Sequence, residues 1–209
     1  VNRELLKKAS IARPDVVLLW RATHILPATV RKLNGLGIIT VSYNNDDPFG
    51  PTTHGKVPWH HHLIWHWYKA SLRFYTYNFL YREVNVKEAL ALRAKHAEGL
   101  KPYFIPWRDK PVDLNGGEIK RFGCDVVFVG HYEPDDRVKY IRTLVEAGLS
   151  VKLFGTYWTP EVLGDIYPYF APVVPAEGND YAKALCGAKV CLVFLSKLNR
   201  DTYTRRCFE

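Results

Sequence analysis

The chain has 209 residues, 47% of them hydrophobic and 24% charged, with a net charge of +8; that length holds one large domain or two smaller ones, each with a true core. No apolar run approaches the roughly 20 residues of a membrane helix, and the opening residues lack the character of a signal peptide, so a cytoplasmic protein is expected. Lys and Arg are spread along the chain rather than gathered into a basic tract, so no nucleic-acid partner is expected, while phosphorylated small molecules and peripheral membrane contact stay open.

In chain order, residues 1–12 read as a helix with Leu5, Leu6 and Ala9 on one face. Pro14 closes it, and residues 15–20 (DVVLLW) form an apolar run expected as a fully buried strand. A short helix from Pro27 to Leu33 ends at Gly35 and Gly37, and Ile38–Tyr43 is the next strand. Residues 44–59 are a loop rich in Asp, Pro, Gly and Thr. A helix over 60–74, strands over 75–81 and 102–107, and an intervening helix over 86–97 complete a first unit, 1–108. Residues 109–123, with Pro111, Gly116 and Gly117, are the linker candidate.

The second unit, 124–209, opens on the strand 125–129 and a helix whose apolar face is Val138, Ile141, Leu144 and Val145. Strands follow at 151–154, 172–174 and 190–195, with helical stretches near Pro160 and over 179–188. The grammar is α/β in both halves, which predicts two Rossmann-like parallel-sheet units. There is no methionine, and Val1 is not a translational start, so the sequence reads as an internal piece of something longer, with both units incomplete. Of the four cysteines, Cys186 and Cys191 lie in apolar surroundings and read as small core residues.

Val127-Phe128-Val129-Gly130, then Arg137, then Leu153-Phe154-Gly155 with Trp158, then Arg206-Cys207-Phe208-Glu209, resembles the donor-binding half of a GT-B-fold glycosyltransferase of group-1 type. The CgeB-like (spore maturation protein) branch is the nearest resemblance, carried by the order and spacing of these pieces rather than by any single motif. It implies transfer of a sugar from a nucleoside diphosphate sugar to an acceptor hydroxyl, with the donor as substrate, no separate cofactor and no metal. It also implies that Arg206 neutralises the leaving diphosphate and that Glu209 binds ribose or sugar hydroxyls; the fragment alone is expected to be inactive.

The residues themselves leave alternatives open. Gly130, at the end of a strand, suits either a diphosphate approached by backbone amides or a tight turn. Arg206 and Glu209 share a face if residues 202–209 are helical, which an ordinary surface ion pair would do as well. Trp158 could stack on a base or plug the core. Asn199 lies beyond the last strand, at the edge where α/β sheets bind ligands; Lys197 and Arg205 are secondary phosphate candidates. Asp46 or Asp47 could accept a proton from the acceptor hydroxyl, or simply make a turn. His62 and His66 have a zinc-compatible spacing but no evident third ligand. A nucleotide-sugar epimerase of the same fold and a non-catalytic nucleotide- or nucleic-acid-binding module are the rival readings.

Overall fold

The structure, a computed structural model, describes residues 1–50, 59–101 and 103–208. It divides into two compact units: residues 1–102 with 196–204, and residues 103–195 with 205–209. Each is built on a parallel sheet.

In the first unit, α1 (Asn2–Ala12), β1 (Val16–Trp20), α2 (Pro27–Gly35) and β2 (Ile39–Asn44) follow the expected order. The helical stretch after the loop is broken at Trp65 into α3 (Trp59–Ile64) and α4 (His66–Ser71). Then come β3 (Tyr77–Leu80), α5 (Glu83–Ala91) and β4 (Ala97–Gly99). The strands lie in the order β1-β2-β3-β4, with Leu18 opposite Val41 and Val41 opposite Tyr77. Helices cover one face, where Leu19, Val30, Leu33, Trp65, Tyr68, Leu72 and Leu80 form the core.

Two expectations fail here. β1 is an edge strand, and Val16, Leu18 and Trp20 on its other face are exposed, so the apolar run is only half buried. The fourth strand is Ala97–Gly99 rather than 102–107, because the β3 backbone pairs with these small, polar residues through Asn78, Phe79 and Leu80. β2 also inverts the simple pattern. Its inward residues are Thr40, Ser42 and Asn44, all fully buried, while Ile39 points out. The polar row is tolerated because it is paired: Thr40 Oγ1 donates to Asn34 Oδ1 at 2.8 Å, and Ser42 Oγ donates to Asn78 Oδ1 at 2.8 Å.

In the second unit, α6 (Gly116–Phe122) precedes β5 (Cys124–Val129), α7 (Arg137–Glu146) and β6 (Val151–Phe154). Short helices α8 (Pro160–Leu163) and α9 (Tyr167–Phe170) lead to α10 (Asn179–Cys186) and β7 (Ala188–Cys191). The sheet order is β6-β5-β7. Alternate residues of β5 supply both cores: Val126 and Phe128 pack with Ile141, Leu153 and Leu163, while Val127 and Val129 pack with Phe122, Phe154 and Ala184. A strand buried on both faces explains its unbroken apolar sequence.

The 109–123 stretch is not all linker. Asn115 caps α6, accepting from the Gly117 and Glu118 amides at 3.0 Å each, and Glu118 answers by accepting from the Asn115 amide at 2.9 Å. Residues 172–174 are not a strand, although Val174 accepts the Gly155 N–H at 3.1 Å. The last turn is a 3-10 helix, Arg205–Phe208. The contacts assign 196–204 to the first unit, where the sequence reading had the whole of 124–209 in the second. The cause is a set of ion pairs described below.

Candidate functional site

The carboxyl end of β5 gathers three of the expected residues. Gly130 donates its N–H to the Phe154 carbonyl at 2.8 Å, and its own carbonyl accepts the Trp158 indole N–H at 2.8 Å. Arg206 Nη1 donates to the Val129 carbonyl, one residue earlier. The approach is close enough that a Cβ on Gly130 would lie 2.8 Å from Arg206 Nη1. This glycine is therefore needed for contact with a side chain and with the β6 turn. Its amide is already bonded and α7 starts only at Arg137, so of the two readings left open for Gly130 the geometry favours the turn over a free N–H at a helix start. The intervening loop instead carries Glu133, Asp135 and Asp136, which disfavours an anion there.

Arg137, the first residue of α7, is tied back to that loop. It is buried, with Nε and Nη2 donating to the two Asp135 oxygens at 2.7 Å each and Nη1 donating to the His131 carbonyl at 2.7 Å. Its guanidinium also lies 5.7 Å from the Phe128 ring centroid and 5.6 Å from that of Phe194. Those contacts engage all three nitrogens, so the geometry gives Arg137 a loop-clamping place rather than an open one. Trp158 is likewise buried, edge-on to Phe128 and Tyr132 at 5.9 and 5.5 Å. It packs the core, and its neighbour Tyr157 is the exposed aromatic.

Arg206 opens onto a cavity of about 790 Å³ in the second unit, lined by Arg108, Lys110, Glu177, Tyr181 and Arg205 among others. Its guanidinium lies 5.8 Å from the centre of the Tyr181 ring. Arg205 pairs instead with Asp109 at 3.3 Å and lies over Tyr103 at 4.9 Å. Arg108 Nε donates to the same carboxylate at 2.6 Å and holds Asp109 below the usual carboxylate range. Among the described residues no carboxylate pairs with Arg206, so its charge is answered by a carbonyl and a ring. Cys186 and Cys191 also line this cavity and are exposed. They are not core residues, because the end of α10 and the end of β7 lie on its wall. Glu209 lies outside the described residues.

Asp46, Asp47 and Asn199 fall in the first unit, at the carboxyl ends of β2 and β3. Asp47 is fully buried. Oδ1 accepts from the Phe49 and Gly50 amides at 3.1 and 3.0 Å and from Asn85 Nδ2 at 2.9 Å. Arg200 grips both of its oxygens, Nε to Oδ2 at 2.6 Å and Nη2 to Oδ1 at 2.9 Å, and reaches Glu88 at 2.7 and 2.9 Å. Burial pushes the Asp47 carboxyl up, but Arg200, the Phe49 amide and Asn85 outweigh it and hold Asp47 below its ordinary range. A general base works best with a pKa near the operating pH and an open oxygen, and Asp47 has neither.

Asp46 is half-buried at its side chain and pairs with Arg21 Nε at 2.7 Å. Asn199 Oδ1 accepts the Asp47 amide at 3.0 Å, which makes it a loop-holding residue of the first unit. Arg82 closes the network on buried Asp201, whose carboxyl is pushed up by burial and only partly drawn back by Arg82. Arg82, Glu88, Arg200 and Asp201 escaped the sequence reading, since partners 112 and 153 residues apart leave no local pattern.

The histidines do not converge. His61 is buried and accepts the Trp65 indole N–H at 3.0 Å, and burial lowers its pKa. His62 and His66 are exposed and fall on separate helices, α3 and α4. Among the described residues no group of three His, Cys, Asp or Glu side chains could hold a metal, and no helix is long and apolar enough to cross a membrane.

No family model matches the chain, and no curated protein matches its sequence. Its fold is similar to that of UGT73P12 from Glycyrrhiza uralensis, solved in complex with glycyrrhetinic acid 3-O-monoglucuronide. The TM-score is 0.51 at 11% identity, covering 93% of this chain and 49% of that one. The chain thus spans about half the length of that protein. The likeness is one of fold: α/β, with two Rossmann-like parallel-sheet units in a GT-B-like fold.

Proposed function

We propose that the second unit binds the donor of a glycosyltransferase, a nucleoside diphosphate sugar, and that the reaction moves the sugar to an acceptor hydroxyl. The observation that carries this reading is Arg206, held against the carboxyl end of β5 beside Gly130, with no carboxylate paired to it among the described residues and facing a cavity whose lining also includes Arg108, Lys110 and Arg205 beside Asp109 and Glu177. Ligands of open α/β sheets bind at that edge, and a guanidinium fork suits a diphosphate. In the reaction, the bond from the sugar's anomeric carbon to the diphosphate oxygen breaks as the bond to the acceptor oxygen forms. The diphosphate leaves with the electron pair, and Arg206 stabilises the charge that develops there. Tyr181 and Tyr157 supply aromatic surface near the base, and Glu209 is assigned to the sugar or ribose hydroxyls. Asp46, rather than Asp47, is the candidate to receive the acceptor's proton. Kinship to the CgeB-like branch rests on the ordered motifs of the second unit.

Saturating UDP, GDP or ADP is expected to raise the melting temperature of this chain, because a ligand at one hundred times its Kd adds about 2.7 kcal/mol to the folded state. Arg206→Ala is expected to abolish the shift. No shift with any of the three sinks the donor-site reading. Tight binding of oligonucleotides that weakens steeply with salt would favour a nucleic-acid module in its place.

A further inference from the structure

In the first unit, α3 and α4 turn one side inward and leave the other apolar. His61, Trp65, Tyr68 and Leu72 are buried, and their spacing of three and four residues marks the inward side. The outward side carries Trp59, Leu63, Ile64 and Trp67, exposed by 74%, 62%, 41% and 43%. Trp59 and Leu63 are one turn apart on α3, and Trp67 stands in the first turn of α4. Single exposed apolar residues are ordinary; four between positions 59 and 67, two of them tryptophan, are not. The charge around them is of one sign. Residues 59–74 contain Lys69, Arg73 and four histidines, and no Asp or Glu. At the α4 end, Arg73 lies over the Phe74 ring at 4.8 Å, and Arg31, from α2, lies over the same ring at 5.7 Å. Both arginines are exposed.

We propose that the outward side of α3 and α4 docks in the interface of an anionic phospholipid bilayer. Trp59, Leu63, Ile64 and Trp67 enter the boundary between headgroups and acyl chains, while Arg31, Lys69 and Arg73 meet lipid phosphates. Tryptophan suits that depth because its ring is apolar while its indole N–H can bond to a wet headgroup. Lys and Arg lay their stems along apolar surface and keep the charge in water, where an anionic leaflet attracts each of them. Helices that lie in the interface need no spanning length, and α3 and α4 have six residues each. A second copy is the poorer occupant, because a two-fold contact sets this basic surface against its own like charge. The inference is independent of the donor reading of the second unit.

The test is flotation of the chain with vesicles of phosphatidylcholine and phosphatidylserine, compared with phosphatidylcholine alone. Binding to the mixed vesicles is expected, weakening by about tenfold or more on neutral vesicles or at high salt. Arg31→Gln and Arg73→Gln are each expected to cost about fivefold, the factor that about 1 kcal/mol represents. Trp59→Ser combined with Trp67→Ser is expected to cost more than about tenfold, with the circular dichroism unchanged. No binding of the parent to mixed vesicles overturns the proposal, as does undiminished binding of the tryptophan double variant. Displacement by inorganic phosphate at constant ionic strength would reveal a phosphate site instead. A parent dimer in lipid-free sedimentation that the double variant dissolves would reveal an interface between copies. Either result overturns the bilayer reading. Should the double variant fail to fold, Trp59→Phe with Trp67→Phe keeps the apolar surface. Vesicles with brominated acyl chains must then quench the parent's emission more strongly than this variant's, and equal quenching counts against the proposal.

Discussion

Gly155→Ala is expected to lower the stability of the second unit by about 4 kcal/mol, combining a strained backbone with a forced overlap. Gly155 has φ +149°, a conformation that L side chains rarely adopt, and its Cβ would lie 1.9 Å from the Gly130 carbonyl oxygen. That oxygen cannot retreat cheaply. It accepts the Trp158 indole N–H at 2.8 Å, and the Gly130 amide is tied to Phe154 at 2.8 Å. The matched control is Gly148→Ala. Gly148 also has positive φ, +78°, but its Cβ would meet nothing within 4 Å, so only backbone strain of about 1 kcal/mol is expected. Urea unfolding followed by tryptophan emission measures both. Similar losses at the two glycines would show that the Gly130 contact is not the cause.

Asp47→Asn is expected to cost about 3–5 kcal/mol, the range for breaking a buried ion pair by removing one charge. The amide keeps the shape but leaves Arg200 with Glu88 alone and weakens the bonds from Phe49, Gly50 and Asn85. The pH dependence separates this effect from a general loss. The folded pKa of Asp47 is depressed, so the unfolded state holds its proton more tightly. Its contribution is complete above the ordinary carboxylate pKa and is lost as pH falls through the lower folded value. Asp201 runs the other way: its raised pKa makes the folded form the better proton binder, which offsets part of the loss on acidification. Acid titrations of stability are expected to be shallower in Asp47→Asn than in the parent. Identical acid slopes would mean that Asp47 is not held ionised by its partners.

The second unit was the more legible half, for a physical reason. A strand buried on both faces must be continuously apolar, and residues 125–129 say so directly; the Gly130 and Gly155 turns mark where such strands end. The meeting of Gly130 and Arg206 was recoverable from motif order, although the glycine serves side-chain approach rather than a free amide. The first unit misled. β2 turns its hydroxyl and amide side chains inward, so alternation alone assigns the wrong face, and β4 has no apolar signature because only backbone pairing makes it a strand. Asn115 and Glu118 carried a capping-box signature inside the linker candidate, where Gly116 and Gly117 drew attention first. The Asp47–Arg200 pair had no sequence signal at all, since charge pairing across 153 residues is settled only by the fold.

The return of residues 196–204 to the first unit also sets a timetable for synthesis. Neither unit is a single stretch of polypeptide, so the first cannot finish folding when its own 102 residues have emerged. Glu88 and Arg200 are 112 residues apart, an interval that a ribosome covers on the order of 10 s. For that time Asp47 and Arg82 lack the partners, Arg200 and Asp201, that later neutralise them. The second unit's sheet is being made in the same interval, and its last strand, β7, ends nine residues before Arg200 exists. The first unit is thus begun before the second unit's sheet and completed only after it.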